Sequence, residues 1–173
     1  MTEPTWLVRA RTYLGAAEIK GPHHNPKIIE LLDRADGADD GKPLQGIRDD
    51  ETPWCATYVS GVLEEVGIKS ARSAWARSYL KWGIAIDGPA IGAIAVLERG
   101  PTSGHVAFVV GRDSKGNVML LGGNQGDMVK VSAFPMSRVL GFRWPAGQSA
   151  PATTTLLKLP RLESNGKLSA NEA

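Results

Sequence analysis

The sequence has very few of the residues on which many functional sites depend. It contains one cysteine, Cys55, and three histidines. A single cysteine excludes any disulfide within the chain, and with it the class of small secreted domains that disulfides stabilise. No apolar run is long enough to span a bilayer. The N-terminus, MTEPTWLVRARTYLG, lacks the basic-then-apolar layout of a signal peptide. The sequence therefore predicts a protein that is made and held in a cytosol.

A large excess of either charge is also absent. The 20 Lys and Arg residues nearly balance the 18 Asp and Glu residues, which leaves a formal net charge of +2. The basic residues are scattered, with no basic helix or arginine tract that would indicate nucleic-acid binding. With 173 residues, 42% of them hydrophobic, the chain is long enough for one globular domain with a proper core. We expect a monomer that binds no nucleic acid, forms no stable association with a membrane and uses no cofactor or metal.

The first half of the sequence has the periodicity of helices, and the second half has that of strands. Helices are predicted at 4–17, 26–35, 53–66 and 72–82, and a loop at 36–49. Strands are predicted at 90–98, 105–111, 117–123, 127–133 and 138–144. Short turns between the strands favour an antiparallel meander. The fold class is therefore α+β, with N-terminal helices packed against a C-terminal antiparallel sheet of about five strands.

Composition changes once more after residue 146. Outside a TLLKLPRL patch, Ser, Thr, Pro, Asn and Lys make up about half of residues 147–173. Such a segment buries little apolar surface and is typical of a tail that is ordered only in part. The sequence therefore predicts one folded domain at 1–146, which holds the candidate catalytic residues, and a polar tail at 147–173.

Cys55 is the first candidate for chemistry, in the stretch DETPWCATYVSGVL. Thr52 suits the N-cap of a helix and Pro53 suits its first position, which would place Cys55 in the first turn. Backbone N–H groups and the helix dipole stabilise a thiolate there. Three acidic residues just before it (Asp49, Asp50 and Glu51) would raise the thiol pKa instead. The pattern predicts either a nucleophile that needs an imidazolium partner, or a small buried core residue.

His105 and Asn124 are the candidates for base and orienting residue. His105 opens an apolar strand directly after Ser103-Gly104, and Asn124 follows the next strand in LGGNQGD. If these strands pair in antiparallel fashion, the two side chains become neighbours, and Asn124 can hold the imidazole in one tautomer. Asp127 is the alternative orienting residue. Each of these residues also has an ordinary structural explanation, as a strand end or a turn former, so spacing alone leaves the question open.

A metal site is one interpretation of the two neighbouring histidines in the Pro-bracketed loop. The residues are His23 and His24, with Asp33, Asp36, Asp39 and Asp40. Their spacing fits no ordinary zinc or calcium loop, so the sequence favours a solvated acidic loop.

Four segments together resemble the CHAP superfamily of cysteine, histidine-dependent amidohydrolases and peptidases, which are related to the NlpC-type hydrolases. The segments are ETPWCATYVSGVLEEVGI, RSAWARSYLKWG, SGHVAFVVG and LGGNQGD. The likeness covers roughly residues 4–145 and is strongest for the single-domain branch of bacteriophages and prophages, whose members act as endolysins. It implies a papain-like fold with a cysteine at a helix N-terminus packed against an antiparallel sheet.

The resemblance also implies a role for each candidate. Cys55 matches the nucleophile in the PWC motif, His105 the base in SGHV, and Asn124 the polar third member in GGNQ. Many CHAP domains carry an acidic residue two positions before that Asn. Here the position is Gly122, so a four-residue version of the site is not supported.

The function that the resemblance implies is cleavage of an amide bond in bacterial peptidoglycan. An endolysin would accumulate in the host cytoplasm and reach the wall when a separate protein permeabilises the membrane. Two alternatives stay open. The same residues would serve a toxin or effector delivered into a competing cell, and the fold alone would serve a catalytically silent wall-binding domain.

Overall fold

The computed structural model describes residues 3–37, 46–151, 155–164 and 167–169. Three α-helices come first: α1 (Thr5–Arg11), α2 (Pro26–Arg34) and α3 (Cys55–Glu65). Short 3₁₀ helices span Ala76–Lys81, Met136–Arg138 and Leu156–Lys158. The strands are β1 (Ile84–Ile86), β2 (Ile94–Glu98), β3 (Gly104–Arg112), β4 (Val118–Gly122), β5 (Lys130–Phe134) and β6 (Val139–Trp144).

The strands form one antiparallel sheet in the order β1-β6-β2-β3-β4-β5. This confirms the predicted α+β fold class. The predicted meander holds for β2 to β5 but is wrong for β6, which crosses back to pair with β2. The residues from Ile94 to Leu97 are fully buried, and β6 supplies the backbone partners that the second edge of this buried strand needs.

Strand β1 was missed by the sequence analysis. It has only three residues, and its side chains are mostly exposed, so it shows no apolar alternation. The strand follows Gly83, which has a φ of +58° and packs against the Trp144 carbonyl oxygen at the end of β6. A side chain at position 83 would overlap that oxygen, so glycine is required where β1 joins the sheet.

Helix boundaries also differ from the prediction. Helix α1 ends at Arg11 rather than residue 17, and the predicted helix at 72–82 is only the 3₁₀ helix Ala76–Lys81. Helix α3 begins at Cys55 rather than residue 53, with Trp54 at the N-cap. Thr52 does not cap this helix. Its N–H and hydroxyl both donate to the Asp49 carboxylate, at 2.6 and 3.1 Å.

Helix α3 lies in the core, between the other helices and the sheet. The Tyr58 side chain is fully buried, and its hydroxyl donates to the Ala10 carbonyl oxygen at 2.9 Å. Its ring makes edge contacts with the rings of Trp54, Tyr13 and Phe108. Phe108 lies on β3, so one tyrosine ties the first turns of α3 to both α1 and the centre of the sheet. This packing fixes the N-terminus of α3, where Cys55 lies.

The apolar patch of the C-terminal segment packs against β3. The Arg112 N–H donates to the Pro160 carbonyl oxygen at 2.9 Å, and the Leu162 N–H donates to the Arg112 carbonyl oxygen at 2.8 Å. The Leu159 side chain is buried. The domain boundary at 146 itself stays a prediction. Much of the predicted loop at 36–49, with Asp39 and Asp40, lies outside the described residues.

No helix in the described ranges has the length and apolar character that crossing a bilayer requires.

Candidate active site

Cys55 is the first residue of α3 and is 5% exposed. Burial raises the pKa of its thiol above the ordinary value, while the backbone N–H groups of Val106 and Ala56 and the charge of Arg99 act in the opposite direction. The main opposition to a thiolate is therefore loss of water, rather than the neighbouring carboxylates that the sequence analysis considered. The contact with Val106 also places the sulfur beside the strand residue that follows His105.

The two aspartates before Cys55 accept hydrogen bonds that stabilise the loop leading into α3. Asp49 accepts hydrogen bonds from Thr52 and the Glu51 N–H. Asp50 is fully buried and accepts from the backbone N–H groups of Ile19 and Asn25, at 3.0 and 2.8 Å. Its other oxygen accepts from His24 Nδ1 at 2.9 Å.

These contacts fasten the segment that follows α1 to the segment that leads into α3. Burial on its own would raise the pKa of Asp50, but the donors from Asn25, Ile19 and His24 outweigh it, and the pKa lies below the ordinary value. The Asp50 carboxylate is therefore ionised, and its partners give it a structural role.

His105 lies at the start of β3, opposite Leu97 of β2, and is fully buried. Its Nε2 lies 3.0 Å from the Gln125 side-chain oxygen, Oε1. The imidazole stacks on the Phe134 ring, with centroids 5.5 Å apart and planes inclined by 20°. The ring is therefore held on one edge by a hydrogen bond and on one face by an aromatic side chain.

The Gln125 carboxamide has one possible orientation in this network. Its Nε2 donates to two backbone carbonyl oxygens, of Leu120 at 3.2 Å and of Lys130 at 2.6 Å. Since an amide nitrogen donates and its oxygen accepts, Oε1 must be the atom that faces His105. His105 therefore donates from Nε2, and in the neutral ring Nδ1 is the basic nitrogen.

Asn124 does not have the predicted contact with His105. Strands β3 and β4 pair as expected, with Phe108 opposite Leu121, but the side chain that reaches the imidazole belongs to the next residue. Asn124 lies in the turn after β4 with φ of +54° and is fully buried, and its Oδ1 and Nδ2 have no hydrogen-bond partner among the described residues. Asp127, the alternative, lies in the same turn with φ of +61°.

Trp54 forms part of the core beside the site rather than a wall of an open cleft. It is almost fully buried, and its indole N–H donates to Glu18 at 2.8 Å. A β-carbon on Gly123 would lie 2.6 Å from the indole ring, so the turn after β4 packs directly on this tryptophan. No pattern in the sequence points to Glu18, because it lies 36 residues before Trp54 in a segment without a motif.

Two arginines near the site were also missed. Arg77 donates to the carbonyl oxygens of Ser103 and Gly100, at 2.9 and 2.6 Å, and so holds the turn that leads into His105. Arg99, in the same turn, lowers the thiol pKa of Cys55 through its charge. Scattered single arginines give no signal of this kind in a sequence, because their effect depends on the pairing of β2 with β3.

Comparison with known proteins relates part of the chain to one protein family. No curated protein matches the chain. The family model described as the CHAP domain matches residues 47–124, a segment that includes Cys55, His105 and Asn124 and ends one residue before Gln125. CHAP domains are generally cysteine- and histidine-dependent amidohydrolases or peptidases that act on peptidoglycan. The chain is thus similar to CHAP domains over those residues, which make up less than half of its length.

Proposed function

We propose that this protein hydrolyses an amide bond in the peptide of bacterial peptidoglycan, with Cys55 as nucleophile and His105 as base. The observation that carries the proposal is the meeting of α3 and β3. The Cys55 sulfur, at a helix N-terminus, contacts the backbone N–H of Val106, directly after the buried His105. Isolated, each residue has an ordinary structural explanation; their closeness at one junction supports the nucleophile–base pair that acyl transfer requires.

The proposed reaction has two halves. The Cys55 thiolate attacks the amide carbonyl carbon, the C–N bond breaks, and protonated His105 delivers its proton to the departing amine. Water then attacks the thioester while His105 takes its proton, which releases a carboxylate and restores the thiol–imidazole pair. The backbone N–H of Cys55, at the start of α3, supports the developing oxyanion. In the sequence analysis Asn124 orients His105; the hydrogen bonds described above favour Gln125.

We propose further that the protein acts as an endolysin-like enzyme. Such a protein accumulates in the host cytoplasm and degrades the wall once a separate protein has permeabilised the membrane. Support for this part of the proposal is the likeness of the four sequence segments to phage and prophage proteins.

The test uses purified peptidoglycan sacculi incubated with the wild type, Cys55→Ala and His105→Ala. We expect the wild type to release soluble fragments and both variants to lose activity while keeping the wild-type circular dichroism spectrum. Mass spectrometry of the new ends separates cleavage next to the sugar lactyl group from cleavage within the peptide. Equal clearance by all three proteins would contradict the roles of Cys55 and His105, and binding without cleavage by the wild type would favour a silent wall-binding domain.

A further inference from the structure

The space above Gly122, the last residue of β4, is filled by a side chain from further along the chain. A β-carbon built on Gly122 would lie 2.6 Å from Gln125 Oε1 and 2.8 Å from the Ala107 β-carbon. A real β-carbon does not make contacts this short, so a larger residue at 122 and the present position of Gln125 exclude each other. The absence of a side chain at 122 is what lets the Gln125 carboxamide reach His105.

Hydrogen bonds to the backbone also fix the Gln125 carboxamide in its position beside the imidazole. Both of its donor hydrogens are directed to backbone carbonyl oxygens, those of Leu120 on β4 and Lys130 on β5, and the Gln125 N–H donates to the Met128 carbonyl oxygen at 3.0 Å. Gln125 is fully buried. The remaining polar atom of the carboxamide is Oε1. The hydrogen bonds to β4 and β5 therefore direct this oxygen towards His105 Nε2.

We infer that Gln125, reaching back over Gly122, is the positioning residue that fixes the tautomer of His105. This inference deepens the proposed function and rests on it for its catalytic meaning. In this chain one glutamine, from the far side of the turn, occupies the place of a side chain at 122, where many CHAP domains carry an acid. The histidine is thus oriented by a neutral carboxamide, with Asn124 left to shape the turn.

The first readout is the tautomer of His105, which does not depend on any substrate. Long-range ¹H–¹⁵N correlation spectra, recorded at a pH high enough for the imidazole to be neutral and assigned against His105→Ala, report which ring nitrogen carries the proton. We expect Nε2–H in the wild type and a mixture of tautomers in Gln125→Met, which keeps the bulk above Gly122 but whose thioether sulfur is only a weak hydrogen-bond acceptor. A wild-type ring protonated on Nδ1, or an unchanged tautomer in Gln125→Met, would overturn the inference.

The second readout is the split between kcat and KM on a soluble peptidoglycan fragment. Loss of the Nε2 contact should lower kcat by roughly tenfold or more and leave KM nearly unchanged, because the imidazole loses its orientation while the binding surface stays. Gln125→Ala serves in place of Gln125→Met if the latter does not fold. We expect a smaller loss of kcat in Asn124→Ala than in the Gln125 variant, and the reverse order would assign the positioning role to Asn124.

The two readouts separate this inference from the proposed function. If the wild type does not cleave peptidoglycan but its tautomer is Nε2–H and changes in Gln125→Met, the proposed function fails and the positioning role stands. If the wild type cleaves and the Gln125 variants keep both the tautomer and kcat, the proposed function stands and the positioning role fails.

Discussion

At the scale of single residues, the site is built from polar groups that have been removed from water and then given specific partners. His105, Gln125 and Asp50 are all fully buried, and each has at least one hydrogen bond to a group distant in sequence. A buried polar group without its partner costs about 1–3 kcal/mol. Loss of a single contact here therefore changes geometry or stability more than the same loss at the surface would.

The reactivity of Cys55 should depend strongly on His105. Burial raises the thiol pKa, so without an imidazolium partner the thiolate forms only as the pH rises past the ordinary thiol range, at about 8.5. We expect wild-type Cys55 to react with iodoacetamide at neutral pH and the His105→Ala variant to react only at higher pH. Rate constants measured by mass spectrometry between pH 5 and pH 10 check this, and superimposable profiles would argue against a Cys55–His105 pair.

Replacement of Asp50 should loosen the segment before Cys55. We expect Asp50→Asn to lower the free energy of unfolding by about 2 kcal/mol, because three donors lose a charged acceptor. Because the pKa of Asp50 is lowered in the folded state, its contribution is present above the unfolded pKa of about 3.9 and is lost as the pH falls through the lowered value. Urea unfolding at pH 7 and pH 3 measures both effects. Asp87→Asn, at an exposed position, is the matched control, and an equal change in the two variants would refute this role.

Sequence reasoning reached Cys55 and His105 because each stands at the end of an element that its own pattern predicts. It did not reach Gln125. The Asn124-Gln125 pair offers two polar side chains, and only the left-handed backbone at Asn124 together with the space above Gly122 decides which of them meets the imidazole. Neither feature can be deduced from residue types.

At the scale of elements, the position of Cys55 depends on how closely α2 approaches α3. Gly61, in the middle of α3, faces the backbone of α2, and a β-carbon there would lie 2.5 Å from the Leu31 carbonyl oxygen. The neighbouring atom is backbone, which cannot rotate away. The glycine therefore sets the distance between the two helices and, through α3, the position of the nucleophile.

Gly61→Ala should destabilise the protein even though alanine is the better helix former. We expect a loss of about 2 kcal/mol, because overpacking against α2 outweighs a gain in helix propensity of about 1 kcal/mol. Gly141→Ala is the control, since its β-carbon would meet only the Leu80 side chain, at 3.5 Å. Thermal unfolding of both variants is the measurement, and a Gly61→Ala protein as stable as wild type would show that the helices move apart freely.

Helices and strands were predictable where a strong apolar period marks them. The prediction failed where long-range strand pairing decides the structure. Helix α2 and strands β2 to β5 overlap their predicted ranges, because each carries a run or a period of apolar residues. The pairing of β6 with β2 is a long-range choice that no local pattern contains. The 3₁₀ helix Ala76–Lys81 has a helical pattern too short to show that it is not an α-helix.

At the scale of the whole molecule, the C-terminal segment completes the outside of the sheet. Residues 159–162 lie along β3 and pair with Arg112 in parallel fashion. A β-carbon on Gly111 would lie 2.7 Å from the Pro160 carbonyl oxygen. The register of β3 against β4 shifts between Val109 and Gly111. The segment thus covers the irregular end of the strand that carries His105 at its other end.

Two leucines of this segment offer a direct test of its contribution. Leu159 is 4% exposed and Leu157 is 75% exposed. We expect Leu159→Ala to cost about 2 to 3 kcal/mol, a fall of roughly 5 to 10 °C in Tm, and Leu157→Ala to change stability by less than about 0.5 kcal/mol. Differential scanning calorimetry measures the difference. Equal Tm values for the two variants would mean that the segment does not stabilise the fold.

The measurement that tests the central claim most directly is detection of the acyl-enzyme. Wild-type protein is mixed with a soluble peptidoglycan fragment, quenched with acid within the first turnover and digested with trypsin. The account predicts that the peptide spanning residues 49–69, which contains Cys55, gains the mass of the acyl half of the substrate, and that hydroxylamine removes it. Amide cleavage by the Cys55→Ala variant at the wild-type rate, or an adduct on any other peptide, would contradict it.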